Sequence, residues 1–225
     1  MPLNTGTPIK PRLFGAMAML LALASLQGCA IGRSEISLAG PAAPRNATAG
    51  RPLFIHSFVD EREFEQSPPD ASTPSLGQGG VAAANMETRW RAVARKRGGF
   101  GKAMGDVLLA PGHTAADTLR DNFTAALSSA GYRVVSSAAG KPAPMVVDVH
   151  MKRFWSWASP QAFHQTLRTA IETDLVFPRS GKTVTVKAQV ENGAFIPGDE
   201  DWMALITQAL AEYRKQVAAA APSFP

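Results

Sequence analysis

Four acidic residues lie close together in the first half of the chain and could support acid–base chemistry. They are Asp60, Glu61, Glu63 and Glu65. Two carboxyl groups facing each other across a cleft, one protonated and one ionised, hydrolyse glycosidic bonds. The cluster therefore supports one enzymatic hypothesis, a polysaccharide hydrolase. Neighbouring acids on a turn more often face solvent, so a purely structural interpretation stays open beside it.

Metal, nucleotide and acyl-transfer chemistry lack their usual sequence patterns. The four histidines form no close ligand pair and no HExxH motif; they are His56, His113, His150 and His164. Residues 98–102 are glycine-rich, but Ala103 follows where a P-loop needs Ser or Thr, and no GxSxG motif occurs. The sequence therefore predicts no metal site, no cofactor and no enzymatic activity.

The single cysteine of the chain ends an N-terminal leader. Two basic residues and no acid precede an apolar run over residues 13–26. A run of about 14 residues fits a signal-peptide core and is short for a membrane span of roughly 20. The junction Leu26-Gln27-Gly28-Cys29 resembles the lipobox of bacterial lipoproteins. This resemblance implies cleavage of residues 1–28, a lipid on Cys29 and, because Ala30 follows, sorting to the outer membrane.

The composition of the remaining chain limits its partners. Removing Lys10 and Arg12 with the leader leaves 21 basic against 18 acidic residues. So small an excess gives no reason to expect the phosphate contacts that dominate nucleic-acid binding. We therefore expect a membrane partner through the lipid on Cys29 and no nucleic acid. Since Cys29 is the only cysteine, no disulfide can form within the chain.

A flexible tether and one folded domain are expected after the leader. Residues 29–51 are rich in Gly, Ala and Pro, which is typical of a linker. Residues 52–220 carry the patterns of secondary structure, interrupted by a long loop at 61–112 in which only residues 107–109 suggest a strand.

The apolar patterns of this domain predict two helices and five strands. The helices cover residues 114–130, with Thr114 as N-cap, and 199–219. The strands cover residues 52–60, 132–135, 145–157, 165–177 and 182–190, with a bulge near Arg153, and the last two form a hairpin. This order predicts an α+β fold, a mainly antiparallel sheet with both helices packed on one face.

Two groups of residues are candidate surfaces for a ligand or partner. The basic group includes Arg95, Lys96, Arg97 and Lys102, which could meet anionic lipid headgroups or form a solvated basic loop. The aromatic group is Trp155 and Trp157, which share one side of a strand and could stack on a ligand. The alternative for the tryptophans, with Trp202, is an aromatic core where helix meets sheet.

Several short motifs of the last hundred residues form a familiar pattern. They are Gly131-Tyr132-Arg133-Val134-Val135, Lys152-Arg153-Phe154-Trp155-Ser156-Trp157, Thr173-Asp174-Leu175, Asp201-Trp202 and Glu212-Tyr213-Arg214-Lys215. With the turn Asp60-Glu61-Arg62, they resemble the YajG-like family of bacterial lipoproteins over roughly residues 50–216. The resemblance implies association with the outer membrane and supplies no catalytic residue.

The expected function is accordingly that of a lipid-anchored envelope lipoprotein. Its domain would face the periplasm and bind or scaffold an envelope protein, peptidoglycan or anionic lipid. The alternative is a cell-wall hydrolase using the acids near Asp60.

Overall fold

The computed structural model of this protein describes residues 32–42, 50–77, 80–97, 103–160 and 164–225. The strands are β1 (Ser34–Ile36), β2 (Arg51–Asp60), β3 (Ala92–Arg97), β4 (Ala103–Leu109), β5 (Tyr132–Val135), β6 (Met145–Pro160), β7 (Gln165–Phe177) and β8 (Lys182–Ala194). The helices are α1 (Gly80–Ala83), α2 (Met86–Arg91), α3 (Ala115–Ser129) and α4 (Asp199–Ala220), and a 3₁₀ turn (Ala221–Ser223) follows α4. The leader, Cys29 and Lys102 lie outside the described residues.

The long strand β6 is the centre of the sheet. On one side it pairs antiparallel with β7, which pairs in turn with β8. On its other side it pairs first with β2, over Met145 to Met151, and then with β3, at Ser156 and Trp157. Beyond β2 lies β5, and beyond β3 lie β4 and then β1. The strand β6 therefore joins two halves of the sheet that do not pair with each other.

The α+β class is confirmed, but the sheet is mixed rather than mainly antiparallel. Antiparallel pairing occurs between β3 and β4, β6 and β7, and β7 and β8. Parallel pairing occurs between β2 and β5, β2 and β6, β3 and β6, and β1 and β4. Parallel strands need a crossover connection. The connection from β2 to its parallel partner β5, for example, includes α3. Hairpins are visible in a sequence, whereas the partner of a crossover strand is not.

The helix-covered face of the sheet carries the main core, against which α3 and α4 both pack. The side-chain oxygen of Thr114 accepts the backbone N–H of Asp117 at 3.0 Å, so the predicted N-cap is confirmed. The apolar stripe of α4 is also confirmed, because all its members are buried: Trp202, Leu205, Ile206, Ala209, Leu210, Tyr213 and Val217. The bulge in β6 lies between Met151 and Arg153, as predicted.

The loop-covered face of the sheet lies on the opposite side and carries a second, smaller core. Its buried members are Leu76, Ala92, Leu108, Trp155, Trp157 and Ala170. Residues 61–77 cover it: Trp155 Nε1 donates to the carbonyl of Ala71 at 3.3 Å, and the Phe64 ring meets the indole edge-on. The prediction of one long loop at 61–112 was therefore wrong, because this range contains α1, α2, β3 and β4.

The predicted tether is also corrected, because part of it belongs to the sheet. Strand β1 pairs parallel with β4, and Ile36 is buried in the main core. Arg33 forms an ion pair of 3.1 Å with the buried Asp106, and Gly32 N–H donates to the carbonyl of Met104 at 2.6 Å. Three residues are too few to show a strand period, so the sequence alone could not identify β1.

No helix in the described part of the chain combines the length and hydropathy required to cross a membrane.

Candidate functional site

The acid cluster holds a buried arginine in place. The guanidinium of Arg62 donates to both carboxylate oxygens of Asp60, at 2.9 and 2.8 Å. It also donates to the carbonyls of Ala92 at 2.6 Å, Phe154 at 3.1 Å and Arg89 at 3.1 Å, and its side chain has no solvent exposure. These partners belong to the end of β2, the start of β3 and the part of β6 between its two neighbours. We call this arrangement the Arg62 node; it joins carbonyls from three separate segments through one side chain.

Glu61 faces two cationic or ionisable partners. Its oxygens lie 2.6 Å from Lys152 Nζ and 2.6 Å from His150 Nδ1. The hydrogen bond from Lys152, followed by the one from His150, lowers the pKa of Glu61. A glycosidase acid needs a raised pKa to hold its proton at neutral pH. Glu63 and Glu65 are exposed, whereas Asp60 and Glu61 form ion pairs with Arg62 and with Lys152.

A second histidine–carboxylate pair lies on β2 and β6. His56 Nδ1 and Asp148 Oδ1 are 2.8 Å apart, and Ser57 Oγ donates to the same carboxylate. Burial alone would raise the pKa of Asp148, but the hydrogen bonds from Ser57 and His56 outweigh it and lower that pKa. The Ser57 hydroxyl therefore donates to a carboxylate, whereas the serine of a Ser–His–Asp triad donates to the imidazole.

Metal binding also lacks a site in the described part of the chain. No group of three or more His, Cys, Asp or Glu side chains is placed there to hold an ion. His113 and His164 are both exposed.

The basic segment 95–97 is a strand whose cations contact the protein. Arg95 Nη1 donates to Ser75 Oγ at 2.9 Å, and Arg97 Nη1 donates to the carbonyl of Pro68 at 3.2 Å. Lys96 is 5% exposed and lies 2.9 Å from an oxygen of Asp199. Burial, with the charge of Arg95, lowers the pKa of Arg97. Arg95 and Arg97 thus bind the covering segment 61–77, and Lys96 binds α4. Neither the hypothesis of a solvated basic loop nor that of a headgroup-binding loop predicts these contacts.

Trp155 and Trp157 are core residues, with 0% and 9% exposure. A buried indole removes about 150–250 Å² from water, which contributes roughly 4–6 kcal/mol at about 25 cal/mol/Å². Side chains this deeply buried present almost no ring face to a ligand, so the stacking-platform hypothesis is wrong for these two. The core interpretation is confirmed, but only Trp202 lies where helix meets sheet.

A groove at one end of the sheet is the candidate site for a ligand. It has a volume of about 410 Å³ and lies where β2 and β6 begin and β7 ends. We call it the distal groove. Its lining residues are Arg51, Pro52, Pro142, Ala143, Pro144, Met145, Val146, Phe177, Arg179, Ser180 and Pro225.

Two arginines stand at the edge of this mostly apolar groove. Arg51 Cζ lies 5.5 Å from the centre of the Tyr132 ring, and Arg179 Nη1 donates to the carbonyl of Pro144 at 3.3 Å. Each guanidinium has five N–H donors, so both keep capacity for a carboxylate. Sequence reasoning missed this groove because its walls combine the ends of β2, β6 and β7 with residues 142–144 and 179–180, and no motif links residue 51 to residue 179.

The opposite end of the sheet is the Gly32 pole, which we define by Gly32, Met104 and Ile196. A small cavity of about 60 Å³ there is lined by Met104, Ala158, Gln165, Ile196 and Trp202, among others. Strand β6 runs from the distal groove to this pole, and its 16 residues span roughly 50 Å at about 3.3 Å each. The two ends of the domain are therefore far apart.

Comparison with known proteins adds the following. No protein-family model matches the chain, and no curated protein matches it. One solved structure that resembles it is an uncharacterized protein, with 14% identity, a TM-score of 0.46 and coverage of 84% of this chain and 99% of that one. Another is protein XCC0632 from Xanthomonas campestris, of family DUF330, with 11% identity, a TM-score of 0.43 and coverage of 85% and 98%. At these scores neither likeness supports an argument about function.

Proposed function

We propose that this protein is a lipid-anchored lipoprotein of the bacterial envelope, similar to the YajG-like family, with its lipid on Cys29. Its domain faces the periplasm from the outer membrane and binds an envelope component without catalysing a reaction. The leader, the Gly28-Cys29 junction and the absence of another cysteine support the anchor. The ion pairs of Asp60 with Arg62 and of Glu61 with Lys152 support a binding role over hydrolysis.

The distal groove is the observation that carries the binding role. Its volume of about 410 Å³ falls within the usual range of roughly 300–1,000 Å³ for ligand sites. Apolar walls with Arg51 and Arg179 at the edge suit a ligand that places a carboxylate beside apolar groups. An extended segment of an envelope protein with an acidic residue next to apolar ones meets this requirement.

The anchor is tested by metabolic labelling with an alkyne-tagged fatty acid. The wild-type protein should take up the label, while Cys29→Ala should remain unlabelled and either accumulate unprocessed or leave the membrane fraction. An unlabelled wild-type protein would refute the anchor.

The groove is tested by photo-crosslinking in living cells. Benzoylphenylalanine in place of Ala143, which lines the groove, should form a discrete adduct that Arg179→Glu abolishes. The same probe at Lys215, an exposed position on α4, is the matched control. An adduct that forms equally at Lys215, or that survives Arg179→Glu, would show that the contact does not depend on the groove.

A further inference from the structure

The lipid-bearing cysteine is joined to the folded domain by very little chain. Gly32 is fixed by its hydrogen bond to the carbonyl of Met104 at 2.6 Å. Cys29 lies three residues earlier, and three residues at full extension span about 10 Å. A lipid on Cys29 would therefore hold the Gly32 pole within about 10 Å of the bilayer surface, whatever path these residues take.

Two exposed apolar side chains lie at this same pole. Ile196 lines one small cavity with Met104, the residue that binds Gly32. Phe195 and Ile196 are 78% and 69% exposed, the highest values for large apolar side chains in the described part of the chain. They lie between the end of β8 and the start of α4. Adjacent exposed apolar residues of this size commonly mark an interaction surface.

The charges at the Gly32 pole do not favour attraction to anionic lipid. Lys96 is paired with Asp199, and Arg97 donates to the carbonyl of Pro68. Glu200, in the first turn of α4, is exposed and adds negative charge. The pole therefore presents apolar area without an exposed cationic patch among the residues described there.

We infer that Phe195 and Ile196 form a membrane wedge that enters the interfacial layer of the bilayer carrying the lipid of Cys29. The inference rests on the proposed function, since the lipid brings this pole to the surface. Apolar side chains in that layer are buried about 5–10 Å into the boundary between headgroups and acyl chains, which the short link to Gly32 permits. A second attachment point fixes the orientation of the domain and directs the distal groove away from the membrane.

The test uses the chain from Cys29 to Pro225, which retains every described residue. Because Cys29 is its only thiol, it can be coupled to a maleimide phospholipid in phosphatidylcholine vesicles. Benzoylphenylalanine replaces Phe195 in one sample and Met86 in another. Met86 is 60% exposed and begins α2, which leads into the start of β3, the end of that strand away from the Gly32 pole. We expect lipid adducts at position 195 in several-fold higher yield than at position 86, unchanged by high salt.

Three outcomes would overturn the membrane wedge. Equal lipid adducts at both positions would mean that the domain has no fixed orientation. Adducts that disappear in high salt would indicate electrostatic attraction to headgroups rather than insertion. Protein–protein adducts at position 195 without lipid adducts would assign this surface to a protein partner. Because the anchor here is attached chemically, none of these results depends on lipidation in the cell, which the fatty-acid experiment tests separately.

Discussion

The two faces of the sheet are closed by different means. On the helix-covered face, α3 and α4 bury one continuous apolar core that includes Phe123 and Trp202. On the loop-covered face, an irregular segment closes over Trp155 and Trp157 and is held by arginines. One closure is apolar and periodic, and the other depends on a few directed hydrogen bonds.

The difference shows where stability is spread and where it is concentrated. Removing one of many core side chains from a well-packed face leaves the rest of that core in place. On the loop-covered face, Arg62 links the end of β2, the start of β3 and the middle of β6 through the carboxylate of Asp60 and the carbonyls of Ala92 and Phe154. Removing a buried guanidinium leaves a carboxylate without its ion pair and carbonyl groups without a hydrogen-bond donor.

The largest expected effect in this comparison is therefore that of Arg62→Ala. Loss of the guanidinium leaves the carbonyls of Ala92 and Phe154 without this donor and Asp60 with the backbone N–H of residue 62 in place of the ion pair. The free energy of unfolding should fall by about 3–5 kcal/mol. Arg62→Lys should recover less than half of this loss, because an ammonium cannot reproduce the planar fork. Urea denaturation measures both effects.

The matched control for Arg62 is Arg168, which pairs with Glu191 at the surface. Arg168→Ala should change the free energy of unfolding by about 0–1 kcal/mol. If Arg62→Ala cost no more than Arg168→Ala, the node would contribute no more than a surface pair, and the contrast between the two faces would fail.

The sequence predicted the helix-covered face well because its signals are local. The spacing from Trp202 to Val217 marks the buried stripe of α4, and alternation on either side of Gly181 marks the hairpin of β7 and β8. Each of these patterns lies within about 30 residues of continuous chain and reports only which side faces the core.

The loop-covered face and the candidate site could not be predicted in the same way. Strand β3 contains the consecutive cations Arg95, Lys96 and Arg97, a pattern typical of a solvent-exposed segment. In the structure, Ser75 and Asp199 accept hydrogen bonds from the first two of them. The pairing of Ser34 with Val107 joins residues far apart in the chain, and neither carries a signal for the other. The distal groove likewise depends on strand ends and loops that only the fold brings together.

An intermediate effect should follow from Gly105→Ala, which tests whether β1 belongs to the sheet. Gly105 has φ +144°, and a Cβ there would lie 1.9 Å from the carbonyl oxygen of Gly32. The substitution should cost about 1–3 kcal/mol from backbone strain and displace Gly32. Hydrogen exchange should then become faster at the amides of β1.

Gly181→Ala is the control for backbone strain alone. Gly181 has φ +69°, but a Cβ there would meet no atom within 4 Å, so its cost should be about 1–2 kcal/mol. Exchange in β1 should be unchanged in this variant. Equal exchange in the two variants would mean that residues 32–36 are part of a tether and not of the sheet. The argument that only three residues separate Cys29 from the folded domain would then fail as well.

The smallest effect is expected on the polar part of the sheet, where Glu61 receives hydrogen bonds from Lys152 and His150. These bonds lower the pKa of Glu61 in the folded state, so its carboxylate stabilises the fold above the pKa of the unfolded chain. That contribution is lost as the pH falls through the lowered pKa, since protonation then becomes possible in both states. The wild type should therefore be slightly more stable than Glu61→Gln at neutral pH, and the difference should shrink below about pH 4. Denaturation from pH 7 to pH 3 measures this difference.

The control repeats the comparison with Lys152 replaced by Met. In that background, the stability difference caused by Glu61→Gln should depend less on pH. An unchanged pH dependence would show that Lys152 is not its main cause.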